Sequence, residues 1–129
     1  MDSPYQAFGS REAVLALVER FYDLMEQTEP ELAALHELDE QGRISRRNRE
    51  RFGLFLVGWL GGPDDYVQQH GHPRLRMRHG RVPVNVAQRD AWLRCMLAAL
   101  DESAVPAETR GFLRQRFTEV ADFLRNVPE

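Results

Sequence analysis

Three histidines, His70, His72 and His79, fall in a segment that also carries Arg74, Arg76, Arg78 and Arg81. Imidazole nitrogens ligate transition metals, and guanidinium groups pair with phosphates and carboxylates. Beside the plain reading, a solvated basic stretch, residues 70–81 therefore admit three chemistries. Zinc held by His70, His72 and His79 is the first. Against it, the spacing is not that of an ordinary zinc site, and no cysteine or acidic residue lies close by in sequence. Phosphate binding by the arginines is the second. Alternate residues share a face on a strand but not on a helix, and a net charge of −3 is the wrong sign for a nucleic-acid binder.

The third chemistry needs a short helix that presents His79 to a cavity. Leu75 lies four residues earlier and shares its face, so an apolar neighbour accompanies the imidazole. Haem suits such a place: iron takes an axial imidazole, the macrocycle needs an apolar slot, and its propionates need cations at the edge. No Cys-x-x-Cys-His motif is present, so any haem is held without thioether links.

The elements that would position these residues read as helices. Ser10 caps a helix with Val14, Leu17, Val18, Phe21 and Met25 at helical spacing. Pro30 suits the first turn of a short helix carrying Leu32, Leu35 and His36. Ser45 caps a helix whose stripe is Asn48, Phe52, Phe55, Leu56 and Trp59, ended by Gly61-Gly62-Pro63. Between Pro63 and Pro83 the pattern is poor: one turn near Tyr66 and Val67, a break at residues 70–73, then a short helix from Arg74 to His79. Asn85, with Gln88 in a capping box, begins a long helix containing Trp92, Leu93, Met96, Leu97 and Leu100. Pro106 opens the last helix, with Leu113, Phe117, Val120, Ala121 and Leu124 as its stripe. No strand is required.

A chain of 129 residues, 43% apolar and 29% charged, is expected to form one all-α domain over residues 1–129. Its longest uncharged run, Phe52 to Pro63, is far short of the roughly 20 residues that span a membrane. The N-terminus shows no secretory pattern and the single cysteine, Cys95, forms no internal disulfide, so a cytoplasmic setting is expected.

From about Gly9 to Leu124 the chain resembles the group II truncated haemoglobins. The resemblance rests on Arg20-Phe21-Tyr22, the run from Phe55 to Gly61-Gly62-Pro63, Tyr66, the segment from Gly71 to His79, and the segment from Arg89 to Met96. It implies a shortened globin, a two-over-two helical sandwich around haem b. It makes His79 the proximal iron ligand and places Trp92, Tyr22, His36 and Asn48 on the distal, ligand-binding side. Phe52 follows one helical turn after Asn48. Arg51 and one of Arg76 or Arg78 become propionate partners, and Phe52, Phe55, Tyr66, Leu75, Met77 and Trp92 line the cofactor. Taken without the resemblance, Tyr22 reads more readily as core with its hydroxyl at the surface, and Trp92 as core.

The resemblance also implies binding of oxygen, nitric oxide and carbon monoxide. Up to three hydrogen-bond donors, Tyr22, Trp92 and His36, would hold a partly negative ligand and slow its release. The expected role is oxygen binding or transport, or detoxification of nitric oxide or peroxide, and not storage; slow release suits detoxification, peroxide chemistry or sensing. A nitric oxide dioxygenase or peroxidase-like activity would draw electrons from an external reductase, since no flavin or nicotinamide motif is present. No nucleic-acid or membrane partner is expected, and the protein reads as a monomer or homodimer. The rival reading is a haem-free helical binding module, or a zinc protein, that uses residues 70–81. The chain departs from the family pattern at His36, where several members carry tyrosine, at Gly9-Ser10, where a glycine pair is usual, and at Val82, where phenylalanine is frequent.

Overall fold

Side-chain caps decide where the helices begin. The computed structural model describes residues 3–71 and 85–124. Seven helices are found among them: α1 (Pro4–Phe8), α2 (Arg11–Thr28), α3 (Pro30–Ala33), α4 (Arg46–Trp59), α5 (Asp65–His70), α6 (Val86–Glu102) and α7 (Ala107–Leu124). The Ser10 hydroxyl accepts from the Ala13 N–H at 3.2 Å, and that of Ser45 from the Asn48 N–H at 3.1 Å. Asn85 and Gln88 form the expected reciprocal box, each side chain accepting from the other's backbone N–H at 2.9 Å. Each cap satisfies donors that have no partner within the helix.

Two differences from the sequence reading stand out. Helix α1 was not expected, because five residues carry too little apolar period to be seen. Its start is nevertheless a capping box between Ser3 and Gln6 with Pro4 in the first turn. The Tyr5 N–H donates to the Leu60 carbonyl at 2.9 Å, and the Tyr5 ring lies where a Cβ on Gly62 would sit at 2.7 Å. The Gly61-Gly62 pair thus ends α4 and also makes room for α1. The second difference is α5, which extends the single turn expected at Tyr66 to six residues. The residues after Gly71 up to Val84, including the helix expected from Arg74 to His79, lie outside the described residues.

Helix α2 is the hub. It packs against α4 on one side and α6 on the other, while α6 packs on α7. The result is two helix pairs, α2 with α4 and α6 with α7, stacked through the contact between α2 and α6. Val14, Leu17, Val18, Phe21 and Met25 fill that junction with Cys95, Met96, Ala99 and Leu100. Burial of each large apolar side chain contributes about 1.5–3 kcal/mol. Gly53 leaves room for the tip of the Leu15 side chain between α2 and α4, where a Cβ would meet Cδ2 at 2.7 Å. Short α3 leans on α2 and α6, and α5 on α4. Among the described residues the only β feature is an isolated antiparallel bridge between Leu38 and Ile44, and no helix is long and apolar enough to cross a membrane.

Candidate functional site

Adjacent residues on α2 start the site. Phe21 and Tyr22 are both buried, with ring centroids 4.8 Å apart. Phe21 meets the edge of Trp92 on α6 at 5.4 Å and Phe52 on α4 at 5.7 Å. Tyr22 meets Phe52 at 5.8 Å and, just beyond α3, the edge of His36 at 5.7 Å. From Phe52 the wall continues to Phe55 at 6.1 Å and on to Tyr66 of α5 at 5.7 Å. Edge-on and offset ring pairs of this kind contribute about 0.5–1.5 kcal/mol each beyond burial. Helical spacing makes the wall possible: Asn48, Phe52 and Phe55 follow one another along a single face of α4.

The rings are not buried alike. Phe21, Tyr22 and Tyr66 are sealed, whereas Phe52, Phe55 and Trp92 are half-buried and keep part of their apolar surface accessible. Burial pushes the Tyr22 phenol well above the ordinary tyrosine range, although hydrogen bonding with Asn48 and the charge of Arg49 pull the other way. Tyr22 therefore keeps its proton and remains a donor. The alternative of a core tyrosine with its hydroxyl at the surface does not describe it, since the residue is 4% exposed. His36 places Nδ1 at 3.0 Å from the Leu32 carbonyl oxygen. That oxygen can only accept, so Nδ1 carries the hydrogen and the neutral ring has none on Nε2.

Tyr22, His36, Asn48, Phe52, Phe55, Tyr66 and Trp92 are thus drawn to one wall, and Arg51 stands half-buried on α4 beside Phe52. His79, Leu75, Arg76, Met77 and Arg78 lie outside the described residues, as do His72 and Arg74. His70, the remaining member of the suggested zinc set, is exposed and packs against Tyr66 at 5.1 Å. One residue escaped the sequence reading altogether. Arg49, beside Asn48, is only 5% exposed and its guanidinium lies over the Tyr22 ring at 5.7 Å. The signal for it was Glu19, Asp23 and Glu26, three carboxylates on one face of α2.

The chain matches the model of the bacterial-like globins over residues 3–126. A Bacillus subtilis relative, group 2 truncated hemoglobin YjbI, is 35% identical over 128 residues, covering 99% of this chain and 92% of the relative. The chain is a group 2 truncated haemoglobin. The cold-adapted truncated hemoglobin of Pseudoalteromonas haloplanktis superposes with a TM-score of 0.90 at 38% identity, over 98% of this chain and 99% of that one. The group II 2-on-2 hemoglobin of Agrobacterium tumefaciens gives a TM-score of 0.88 at 35% identity, over 98% of this chain and 95% of its own. The stacked pairs α2–α4 and α6–α7 are the two-over-two sandwich of that family. As a member of it, this globin uses haem and binds diatomic gas ligands there, which displaces the haem-free and zinc readings. The residues present fit such a group: accessible ring surface on Phe52, Phe55 and Trp92 matches a flat apolar macrocycle, and a buried, protonated phenol stands in the same wall.

Proposed function

We propose that this globin holds haem b without thioether links, with His79 as its iron ligand, and that Tyr22 and Trp92, joined by His36 once its ring takes up a second proton, retain a diatomic ligand by hydrogen bonding. Phe52, Phe55, Tyr66, Leu75 and Met77 would line the macrocycle, and Arg51 with Arg76 or Arg78 would pair with its propionates. Haem, when bound, would supply an iron that takes the diatomic ligand and changes oxidation state. What the chain contributes is the setting. Tyr22 cannot release its proton at neutral pH, so its O–H is held ready to donate. The aromatic wall keeps water away from that donor, and a hydrogen bond made where water is excluded is stronger than one made in solvent. Asn48 steadies the phenol from α4.

Two neutral donors aimed at a partly negative ligand, each contributing about 1.5–3 kcal/mol, would slow its release by about two to four decades. Such retention suits detoxification of nitric oxide or peroxide in the cytoplasm, with electrons from a separate reductase, more than oxygen storage. The observation that carries this reading is the burial of a protonated Tyr22 hydroxyl within an otherwise aromatic wall shared with Trp92 and His36.

Titration of the full chain with hemin tests the cofactor assignment. The wild type should take up one equivalent, and the intense porphyrin band at roughly 400 nm should shift as the iron gains its protein ligand. His79→Ala should fail to take up hemin or should place that band elsewhere in both oxidation states. A variant whose spectrum matched the wild type would remove His79 from the iron.

A further inference from the structure

Arg49 is a cation sealed inside the protein against the residue on which ligand retention most depends. Its Nε–H donates to the Ile44 carbonyl at 3.0 Å. Nη1 donates to the carboxylates of Glu19 at 2.8 Å and Asp23 at 2.9 Å. Nη2 pairs with the Glu26 carboxylate at 3.1 Å. Burial alone would weaken the guanidinium's hold on its proton, but the three carboxylates together outweigh that and keep it charged. Arg43 pairs with Asp23 and Glu26 from the loop before α4, and Arg46 pairs with Glu19. Asp39 lines the same polar depression.

The edge of the guanidinium is therefore engaged by α2 and the Ile44 carbonyl, and it cannot swing out to solvent. Its Cζ sits over the Tyr22 ring. A cation over a ring face draws electron density from the ring, and an electron-poor phenol is a better hydrogen-bond donor. A simple bolt between α2 and α4 would account for the ion pairs but has no need of the phenol. Asn48, next in sequence, acts on that same phenol and favours its ionised form.

We propose that Arg49 is a positioning residue of the ligand site: held over the Tyr22 ring by Glu19, Asp23 and Glu26, its charge fixes the phenol and strengthens it as a donor to the bound diatomic ligand. The proposal rests on the reading of Tyr22 as a donor. It places a determinant of ligand release outside the wall that touches the ligand.

The test uses haem-loaded protein in which tyrosine is replaced by a ring-fluorinated analogue with a more acidic phenol. The fluorine resonance of Tyr22 is assigned by its loss in Tyr22→Phe. Arg49→Gln should shift that resonance, move its ionisation to higher pH and speed oxygen dissociation about fivefold. Arg49→Lys, which keeps a charge, should restore most of both effects. In a Tyr22→Phe background, Arg49→Gln should change the rate by less than about twofold. An unmoved resonance, or an equal change in both backgrounds, would make Arg49 a helix bolt and overturn the proposal.

If Arg49→Gln does not fold, Glu26→Gln serves instead. Loss of a counter-charge should move ionisation to lower pH and slow dissociation; a shift the other way, or none, rejects the proposal. If Tyr22→Phe alone leaves dissociation unchanged while Arg49→Gln still moves the resonance, the donor reading of Tyr22 has failed, and the role of Arg49 in ligand release falls with it.

Discussion

Helices α2 and α4 meet through two contacts of opposite chemistry. On one side Phe21 and Tyr22 face Phe52, a contact made of rings. On the other, Glu19, Asp23 and Glu26 close on Arg49, a contact made of charge. Tyr22 belongs to both, in a T-shaped contact with Phe52 and with the guanidinium over its ring. The aromatic side leaves surface accessible for a ligand group and tolerates small shifts, because ring contacts are broad and weakly directional. The ionic side is directional, and loss of its one buried cation leaves three carboxylates with only the more exposed Arg43 and Arg46 as partners. One contact supplies the chemistry while the other fixes where that chemistry stands.

This contrast can be broken at several points. Arg49→Met should lower the stability of the haem-loaded globin by about 2–3 kcal/mol in denaturant unfolding, since it leaves carboxylates without their buried partner. Arg46→Gln, at a side chain 59% exposed that shares Glu19, should cost less than about 1 kcal/mol. Equal costs would reduce the ionic side to ordinary surface pairing.

A sharper cut separates His36 from Tyr22 on the aromatic side. Because Nδ1 of His36 donates to Leu32, Nε2 becomes a donor only when the ring takes up a second proton. Oxygen should therefore dissociate about threefold to tenfold more slowly at pH 5 than at pH 9, and His36→Leu should flatten the profile. A flat wild-type profile would take His36 out of ligand retention.

The smallest effect is alkaline. The Tyr22 phenol is raised in the folded chain, so its contribution to stability is complete below the unfolded tyrosine value of about 10 and declines as pH rises from there towards the folded value. Between pH 10 and 11 the wild type should lose about 1 kcal/mol that Tyr22→Phe retains. Parallel losses would mean that the phenol is not buried as described.

Local signals carried most of the fold. Ser10, Ser45 and Asn85 each stand at the start of an apolar stripe, and each is a cap in the structure. Tyr22, Trp92 and His36 could be singled out because family likeness added to a helical period that by itself described plain core. Helix α1 was hidden by its shortness, although Ser3, Pro4 and Gln6 spelled its start. Arg49 was hidden for a different reason. It stands among four other arginines between Arg43 and Arg51, and nothing local distinguishes the buried one. Its partners lie 23 to 30 residues earlier, and only the packing of α2 on α4 brings them together. Periodicity reports which face of a helix is apolar; it is blind to a charge that is buried because another helix answers it.

The account turns on donors in the aromatic wall, and oxygen dissociation measured by stopped flow addresses them most directly. Trp92→Phe and Tyr22→Phe should each release oxygen at least about tenfold faster than the wild type, and the double variant faster still. Rates unchanged in both single variants would mean that neither side chain holds the ligand, and the proposed basis of retention would be contradicted.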